Sequence, residues 1–264
     1  MSLIEKFNRL ILILKKLEDA VLAYSGGVDS SFLLAIARER LKRLIAVTAK
    51  SPTLPSEELN FAKEFCQRLG ISHKIIITQE LRNKNFTDNP PERCYFCKRE
   101  LFSQLAEIAK RNGIKNIIDA SNVDDKKDYR PGEKARKEFG VISPLQEAGL
   151  NKQEIRFLSR RLGLVTWNKP QQACLASRIA YGEKITKEKL KRIETAESLI
   201  KRNLKIKGNL RVRLHNDVAR IEVDNKIISR IIKNREFILK LKNLGFKYIT
   251  VDLEGYRTGS MNII

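Results

Sequence analysis

Apolar positions alternate between two periodicities along the chain. Residues 4–16 carry apolar side chains at helical spacing with Lys and Glu between them, which predicts an amphipathic helix. AVLAY (20–24), RLIAVTA (43–49), HKIIIT (73–78) and NIIDAS (116–121) are short apolar runs and predict strands. Between them SSFLLAIARERL (30–41), SEELNFAKEFCQRLG (56–70) and CKRELFSQLAEIAKRNG (97–113) predict helices. The second of these opens on a Ser cap with Glu in its first turn, and the second and third end at Gly. Strands alternating with helices predict an α/β fold with a doubly wound, mostly parallel sheet, which binds ligands at the C-terminal ends of its strands.

Residues 122–140 are polar, broken by Pro131 and Gly132, and predict a loop leading into a short helix; residues 151–164 predict another helix. WNKPQQACLASRIAYG (167–182) has little periodicity and fits an active-site or interdomain segment. The pattern then changes. A basic helix (187–203) precedes LRVRLH (210–215) and VARIEV (218–223), two alternating runs joined by Asn216-Asp217, a hairpin signal. A helix at 227–241 and a strand at 247–253 follow. The expected division is residues 1–183 as the large α/β domain and 184–264 as a small α+β domain that binds substrate or assembles subunits.

Charge narrows the ligand class. The formal charge is +21, from 52 basic and 31 acidic residues, and such an excess concentrates anions, whether nucleic acid, nucleotide or carboxylate, although a highly charged solvated surface has the same composition. No stretch of about 18 apolar residues could span a membrane, and the N-terminal segment lacks the unbroken apolar run of a signal peptide. The expectation is a cytoplasmic protein without disulfides.

The most specific chemistry lies in Ser25-Gly26-Gly27-Val28-Asp29-Ser30, between strand and helix. Glycines admit an anion close to the backbone, and the following helix offers free N–H groups and a positive dipole end. Ser25, Ser30 and Ser31 add hydroxyl donors. An acid at Asp29 inside such a nest implies a bound Mg2+. The Walker lysine is absent, so the binding differs from the usual cradle for β and γ phosphates. Asn122, Asp124 and Asp125 follow the fourth strand, where they either face a nucleotide or metal or form a capping turn.

Of the four cysteines, Cys66 falls within an amphipathic helix and is expected in the core. Cys94 and Cys97 form a CxxC at a helix start, which favours thiolate, and Cys174 lies in the breaker-rich segment. Three thiolates suit an iron–sulfur cluster with an open iron better than closed zinc. A redox pair, buried thiols, or reactive thiols without metal are the other readings. Arg178, Arg211, Arg213 and Arg257 are candidates for phosphate or carboxylate binding, with Arg211 and Arg213 on one strand face. Glu222 is a candidate general base or substrate contact.

SGGVDS resembles the PP-loop of the ATP pyrophosphatases, the adenine nucleotide alpha hydrolase-like superfamily that includes GMP, NAD and asparagine synthetases and tRNA thiolases. The resemblance implies cleavage of ATP to AMP and pyrophosphate, with the loop, Val28 included, holding pyrophosphate and adenine against Thr48, Ala49 and Lys50. Further strings fall in order: PERCYFCK (91–98), YRPGEKARKEFGVISPLQEAGLNKQEIR (129–156), CLASRIAYGEKIT (174–186), RVRLHNDVARIEV (211–223) and DLEGYRTGSMN (252–262). Together they resemble the LarE family of sulfur transferases over nearly the whole chain. That resemblance implies adenylation of a carboxylate of pyridinium-3,5-biscarboxylic acid mononucleotide and its conversion to a thiocarboxylate. In some members the cysteine matching Cys174 gives up its sulfur; in others three cysteines, matching Cys94, Cys97 and Cys174, hold a [4Fe-4S] cluster. This chain has all three. Members often carry Pro-x-Trp-Asp before the last cysteine; here Val165-Thr166-Trp167-Asn168 stands there, and no role is assigned to Asn168. The implied cofactors are ATP, Mg2+ and the cluster. The implied partners are a small anionic mononucleotide, a sulfur donor and further copies of the same chain. A cluster-dependent tRNA thiolase is the alternative, disfavoured by the absence of zinc knuckles or a recognisable RNA module. An amidating ligase would leave the cysteines idle, and a non-catalytic nucleotide sensor would be unusual for this superfamily.

Overall fold

The computed structural model describes all residues except 128, 129, 172, 234, 235, 258 and 262–264. Parts of the expected motifs, at Tyr129, Thr258 and Asn262, and the middle of the helix expected at 227–241 lie outside the described residues.

The chain divides into two compact units, Met1–Glu80 with Glu92–Lys169, and Leu81–Pro91 with Pro170–Ile264. The first unit begins with helix α1 (Leu3–Leu17), closed by a Ser2–Glu5 capping box, and strand β1 (Asp19–Ala23). Helix α2 (Val28–Arg38), β2 (Arg43–Lys50), α3 (Ser56–Arg68) and β3 (Ser72–Ile77) follow. The second unit then takes the short α4 (Lys84–Thr87). The first resumes with α5 (Arg93–Arg111), β4 (Ile117–Ile118), α6 (Gly132–Glu138), α7 (Pro144–Glu147) and α8 (Lys152–Arg161), the last opened by an Asn151–Glu154 capping box.

The four strands form one parallel sheet in the order β3-β2-β1-β4. Alternate side chains point to opposite faces, and both faces of β1, β2 and β4 are covered, whereas the edge strand β3 leaves Ile75 and Ile77 exposed. Ala20, Leu22, Ala46 and Ile118 join one core with Leu10 and Leu14 of α1, Phe32 of α2, Phe65 of α3 and Ile155 of α8. Val21, Ile45, Val47 and Ile117 join the other with Phe102 and Leu105 of α5 and Ala135 of α6. This is why β1 and β2 read as continuous apolar runs and not as alternating ones. Each large side chain buried this way stabilises the fold by about 1.5–3 kcal/mol. The order reverses between β1 and β4, so the loops after these two strands open onto one crevice at their C-terminal ends.

The second unit has helix α9 (Lys187–Leu204), the hairpin β5 (Leu210–His215) and β6 (Val218–Val223), α10 (Asn225–Lys233), α11 (Glu236–Asn243) and β7 (Tyr248–Val251). Strands β5 and β6 pair antiparallel through the expected turn, and β7 joins β6 in parallel. Leu190, Ile193, Ala196 and Ile200 of α9 are buried, as are Phe237 and Leu241 of α11.

This unit begins at Pro170, earlier in the chain than the division at 183/184 expected from periodicity. Ile179 bridges to Leu214 of β5, so the breaker-rich segment belongs with the hairpin. Residues 81–91 join it as well: buried Asn89 donates its side-chain amide to the Ala180 carbonyl at 2.6 Å, and its own carbonyl accepts from Gly182 N–H at 3.1 Å. Local periodicity carries no record of such pairings. Helices α2 and α5 also start earlier than their apolar pattern does, at Val28 and Arg93, because polar and cysteine-bearing first turns hide helical onset.

Candidate active site

The loop between β1 and α2 turns at Gly26, whose φ of +73° is open to glycine but strained for other residues. A Cβ there would come into ordinary contact with Phe61 and Ala62 of α3, so the backbone angle and not crowding requires glycine. Gly27 caps α2 without any side-chain hydrogen bond, so the first N–H groups of that helix have no side-chain acceptor. Ser25 and Ser30 hydroxyls lie 3.0 Å apart across the loop, and Ser30 Oγ donates to the Gly27 carbonyl at 3.2 Å. Ser31 and Val28 are buried behind it; Ser31 Oγ meets Tyr24 OH at 3.2 Å.

Asp29, in the first turn of α2, organises the crevice. Its Oδ2 accepts from Asn122 Nδ2 at 3.2 Å and from Lys152 Nζ at 2.6 Å. Its Oδ1 is buried and makes no hydrogen bond among the described residues. Asn122 Oδ1 accepts from the Asp124 N–H, and Asp124 Oδ2 accepts from the Lys152 N–H at the start of α8. Asp125 Oδ2 accepts from the Asn122 N–H. Burial pushes the Asp125 carboxyl above its ordinary range, and the nearby Asp29 charge adds to this, against the lowering effect of Asn122 N–H and Arg130. Asn122 and Asp124 thus both cap a turn and reach the loop, directly or through Lys152.

At the end of β2, Thr48 is buried; its hydroxyl donates to the Tyr24 carbonyl at 2.8 Å and lies 2.9 Å from His73 Nε2. The hydroxyl proton is committed to Tyr24, so His73 Nε2 is the donor to Thr48. Ala49 is half-buried and Lys50 exposed.

All four cysteines are thiols, none in a disulfide. Cys66 is fully buried, and burial pushes its thiol up to about 12. Cys94 is exposed and Cys97 half-buried in the first turns of α5; Cys174, exposed, precedes a 3-10 turn at Leu175–Arg178 in the second unit. Among the described residues no three His, Cys, Asp or Glu side chains are gathered as a metal-holding group.

The arginines divide into two kinds. Arg178 is fully buried, with Nε on Glu197 at 3.0 Å and NH1 on the Ala173 and Cys174 carbonyls at 2.6 and 3.0 Å. It ties the cysteine-bearing turn to α9. Arg213 is buried on Glu222, which has no exposed surface, at 2.8 Å; Ser260 and Arg220 also donate to Glu222. Arg211 bonds the Leu210 and Gln171 carbonyls, and burial together with the Arg178 charge pushes it down to about 10. Arg257 is different: its side chain is partly exposed, and it pairs with Glu254 in its own turn.

Sequence reasoning did not single out Lys152, Lys169, Glu58 or Glu197. Lys169 Nζ donates to Glu58 at 2.7 Å and to the Gly26 carbonyl at 3.0 Å. No local signal separates these lysines from the other basic residues.

The asparagine synthase family model matches residues 20–109, the stretch from β1 through most of α5. A pyridinium-3,5-bisthiocarboxylic acid mononucleotide synthase of Lactiplantibacillus plantarum is 36% identical over 99% of this chain and 95% of its own length. The chain belongs to the LarE family. It is therefore an ATP-dependent sulfurtransferase with the PP-loop ATP pyrophosphatase fold. An uncharacterized protein of Synechocystis is 44% identical over 94% of this chain and 93% of its own length. One of Methanocaldococcus jannaschii is 32% identical over 90% of each. Among the described residues of this LarE-family chain, no helix is long and apolar enough to cross a membrane.

Proposed function

We propose that the enzyme adenylates a carboxylate of pyridinium-3,5-biscarboxylic acid mononucleotide and exchanges an oxygen for sulfur, giving a thiocarboxylate. The observation that carries the nucleotide half is the uncapped start of α2 beside a buried Asp29 oxygen that lacks a partner. An anion suits the first, and a cation suits the second. The Lactiplantibacillus relative is a synthase of pyridinium-3,5-bisthiocarboxylic acid mononucleotide, and that product supports the corresponding biscarboxylic mononucleotide as the substrate.

A carboxylate is a poor electrophile. In the first step its oxygen attacks the α-phosphorus of ATP, the bond to the β-phosphate bridge breaks, and pyrophosphate leaves with the electron pair. The N–H groups at Gly27 and beyond, with Ser25 and Ser30, would hold the departing pyrophosphate. Adenine would rest against Thr48, Ala49 and Lys50. Asp29 would hold Mg2+ through Oδ1, which leaves Oδ2 to Asn122 and Lys152. The ion would neutralise phosphate charge. In the second step a sulfur nucleophile attacks the acyl carbon and AMP departs.

The sulfur would come either from Cys174, whose Cβ–Sγ bond would break after its thioester forms and leave dehydroalanine, or from sulfide given by a sulfur donor, with Cys94, Cys97 and Cys174 holding a [4Fe-4S] cluster. The donor chemistry fits the cluster: Cys94 and Cys97 stand one helical turn apart, and Cys174, like Cys94, is exposed. When bound, the cluster would offer an open iron able to carry the donor's extra sulfide. Arg178 would hold the Cys174 turn in place. Arg257, whose side chain is partly exposed, would attract the phosphate and carboxylates of the mononucleotide, while Arg211 and Arg213, buried on the Leu210 and Gln171 carbonyls and on Glu222, would brace the unit that carries it. The second unit is then the substrate-binding and assembly unit of a homo-oligomer in the cytoplasm.

The test is anaerobic incubation with MgATP and the biscarboxylic mononucleotide. AMP, pyrophosphate and a product with one sulfur in place of oxygen are expected. Pyrophosphate release with tRNA but not with the mononucleotide would overturn the reading.

A further inference from the structure

Two lysines hold the loop 25–30 from outside it. Lys152 reaches Asp29, as described. Lys169 reaches Gly26, and its surroundings are built for that contact. Its ammonium lies 2.7 Å from Glu58 Oε2, 3.0 Å from the Gly26 carbonyl and 3.7 Å from the centre of the Phe61 ring. Glu58 is itself buried, with its side chain 8% exposed, and the Lys169 side chain is 16% exposed. A carboxylate, a carbonyl and an aromatic face saturate one cation in a nearly dry site. The backbone of Lys169 is also fixed: Arg156 of α8 donates NH2 to its carbonyl and NH1 to the Trp167 carbonyl, both at 2.8 Å.

The contact on Gly26 has a stereochemical consequence. In a trans peptide the carbonyl oxygen and the following N–H point in opposite directions. With the Gly26 oxygen turned to Lys169, the Gly27 N–H is turned the other way, toward the hollow of the loop. There it makes a long bond of 3.4 Å to Ser25 Oγ, a weak partner that an anion could replace. Glycine at both ends of this peptide leaves it free to flip unless something holds it. Lys169 supplies that hold.

We propose that Lys169 is a positioning residue of the nucleotide site: held by Glu58, Phe61 and Arg156, it fixes the Gly26–Gly27 peptide so that the Gly27 N–H faces the pyrophosphate of ATP. Lys169 does not touch the phosphates; it acts through Gly26. The inference rests on reading loop 25–30 as the pyrophosphate loop. Lys169 stands a few residues before Cys174 in the chain, so the segment bearing the sulfur chemistry leaves from a point tied to that loop.

The experiment is titration calorimetry of the full chain with MgATP, magnesium pyrophosphate and AMP. Lys169→Met should weaken the first two about tenfold, the equivalent of one charged hydrogen bond, and leave AMP within about twofold because AMP lacks the groups that meet Gly27. Lys169→Arg, which keeps a buried donor, should recover most of the loss. Glu58→Gln separates positioning from direct contact. It should weaken pyrophosphate binding because Lys169 loses its anchor; tighter binding would mean that a released Lys169 is itself a phosphate ligand, and would overturn the proposal. Equal pyrophosphate binding by wild type and Lys169→Met would also overturn it. Should Lys169→Met fail to fold, Glu58→Gln decides alone, with unchanged or tighter binding counting against the proposal. Wild-type protein that binds neither MgATP nor pyrophosphate would instead sink the pyrophosphate-loop reading.

Discussion

Asn122 donates its side-chain amide to Oδ2 of Asp29 at 3.2 Å, although 93 residues separate them in the chain. The bond crosses from the turn after β4 to the first turn of α2, over the point where the strand order reverses. It leaves the other oxygen of Asp29 buried and, among the described residues, without a hydrogen bond. A buried carboxylate oxygen in that state costs about 1–3 kcal/mol unless a cation or donor meets it, which is the physical case for magnesium at this site.

Asp29→Asn should therefore lower pyrophosphate release by about a hundredfold or more, as loss of a charge-stabilising group does elsewhere. The fold should survive, because asparagine keeps an oxygen for Asn122 and Lys152. Pyrophosphate release is measured with mononucleotide and MgATP, and circular dichroism checks the fold. Release near the wild-type rate would remove Asp29 from the mechanism.

The cysteines separate by environment. Alanine at Cys94, Cys97 or Cys174 should strip iron from anaerobically reconstituted protein, while Cys66→Ala should retain it. In the metal-free protein, native alkylation at about pH 8 should modify Cys94 and Cys174 well before Cys66, since only the thiolate reacts and burial pushes the Cys66 thiol up to about 12. Stoichiometric zinc with no iron, or Cys66 labelled first, would contradict this assignment.

Arg213 and Arg257 should behave differently. Arg213→Met leaves the fully buried Glu222 without its main partner and should cost about 3 kcal/mol of unfolding free energy, typical of a broken buried pair. Arg257→Gln should barely move stability, because its ion pair is partly exposed. The proposed function adds that Arg257→Gln weakens the mononucleotide about tenfold or more and leaves ATP unchanged. Urea unfolding and paired titrations, with tRNA in physiological salt alongside, read all of these. Saturable tRNA binding lost in Arg257→Gln, with no affinity for the mononucleotide, would favour the thiolase.

Both histidines are held below their ordinary value of 6.5, first by burial, then by Lys63 for His73 and by Arg220 for His215. Below that pH the unfolded chain binds protons that the folded chain resists, so stability is present at neutral pH and falls as pH drops through 6.5 toward the folded values. The urea midpoint should decline between about pH 7 and 5.5, before most carboxylates titrate, and the decline should shrink in His73→Asn. An identical decline in that variant would assign it to other groups.

The sequence by itself determined the elements whose signals are local. Short apolar runs alternating with amphipathic stretches established the parallel sheet, because its inner strands β1 and β2, covered on both faces, cannot alternate polar and apolar residues. SGGVDSS announced the anion loop, because glycine, hydroxyl and acid at a strand–helix junction have few other uses. Asn216-Asp217 announced the hairpin. Tertiary structure alone decided what meets those elements. It put Lys152 on Asp29 across 123 residues and Lys169 on Gly26 across 143, two cations among 52 basic residues with nothing in their neighbours to mark them. It turned Arg178 and Arg213 inward onto Glu197 and Glu222, where an exposed anion site and a buried ion pair have the same one-letter pattern. It also drew residues 81–91 into the second unit through Asn89, and moved that unit's start back to Pro170. Periodicity reports which face of an element is dry. It carries no information on which distant charge will be desolvated beside it, because that depends on how the chain closes on itself.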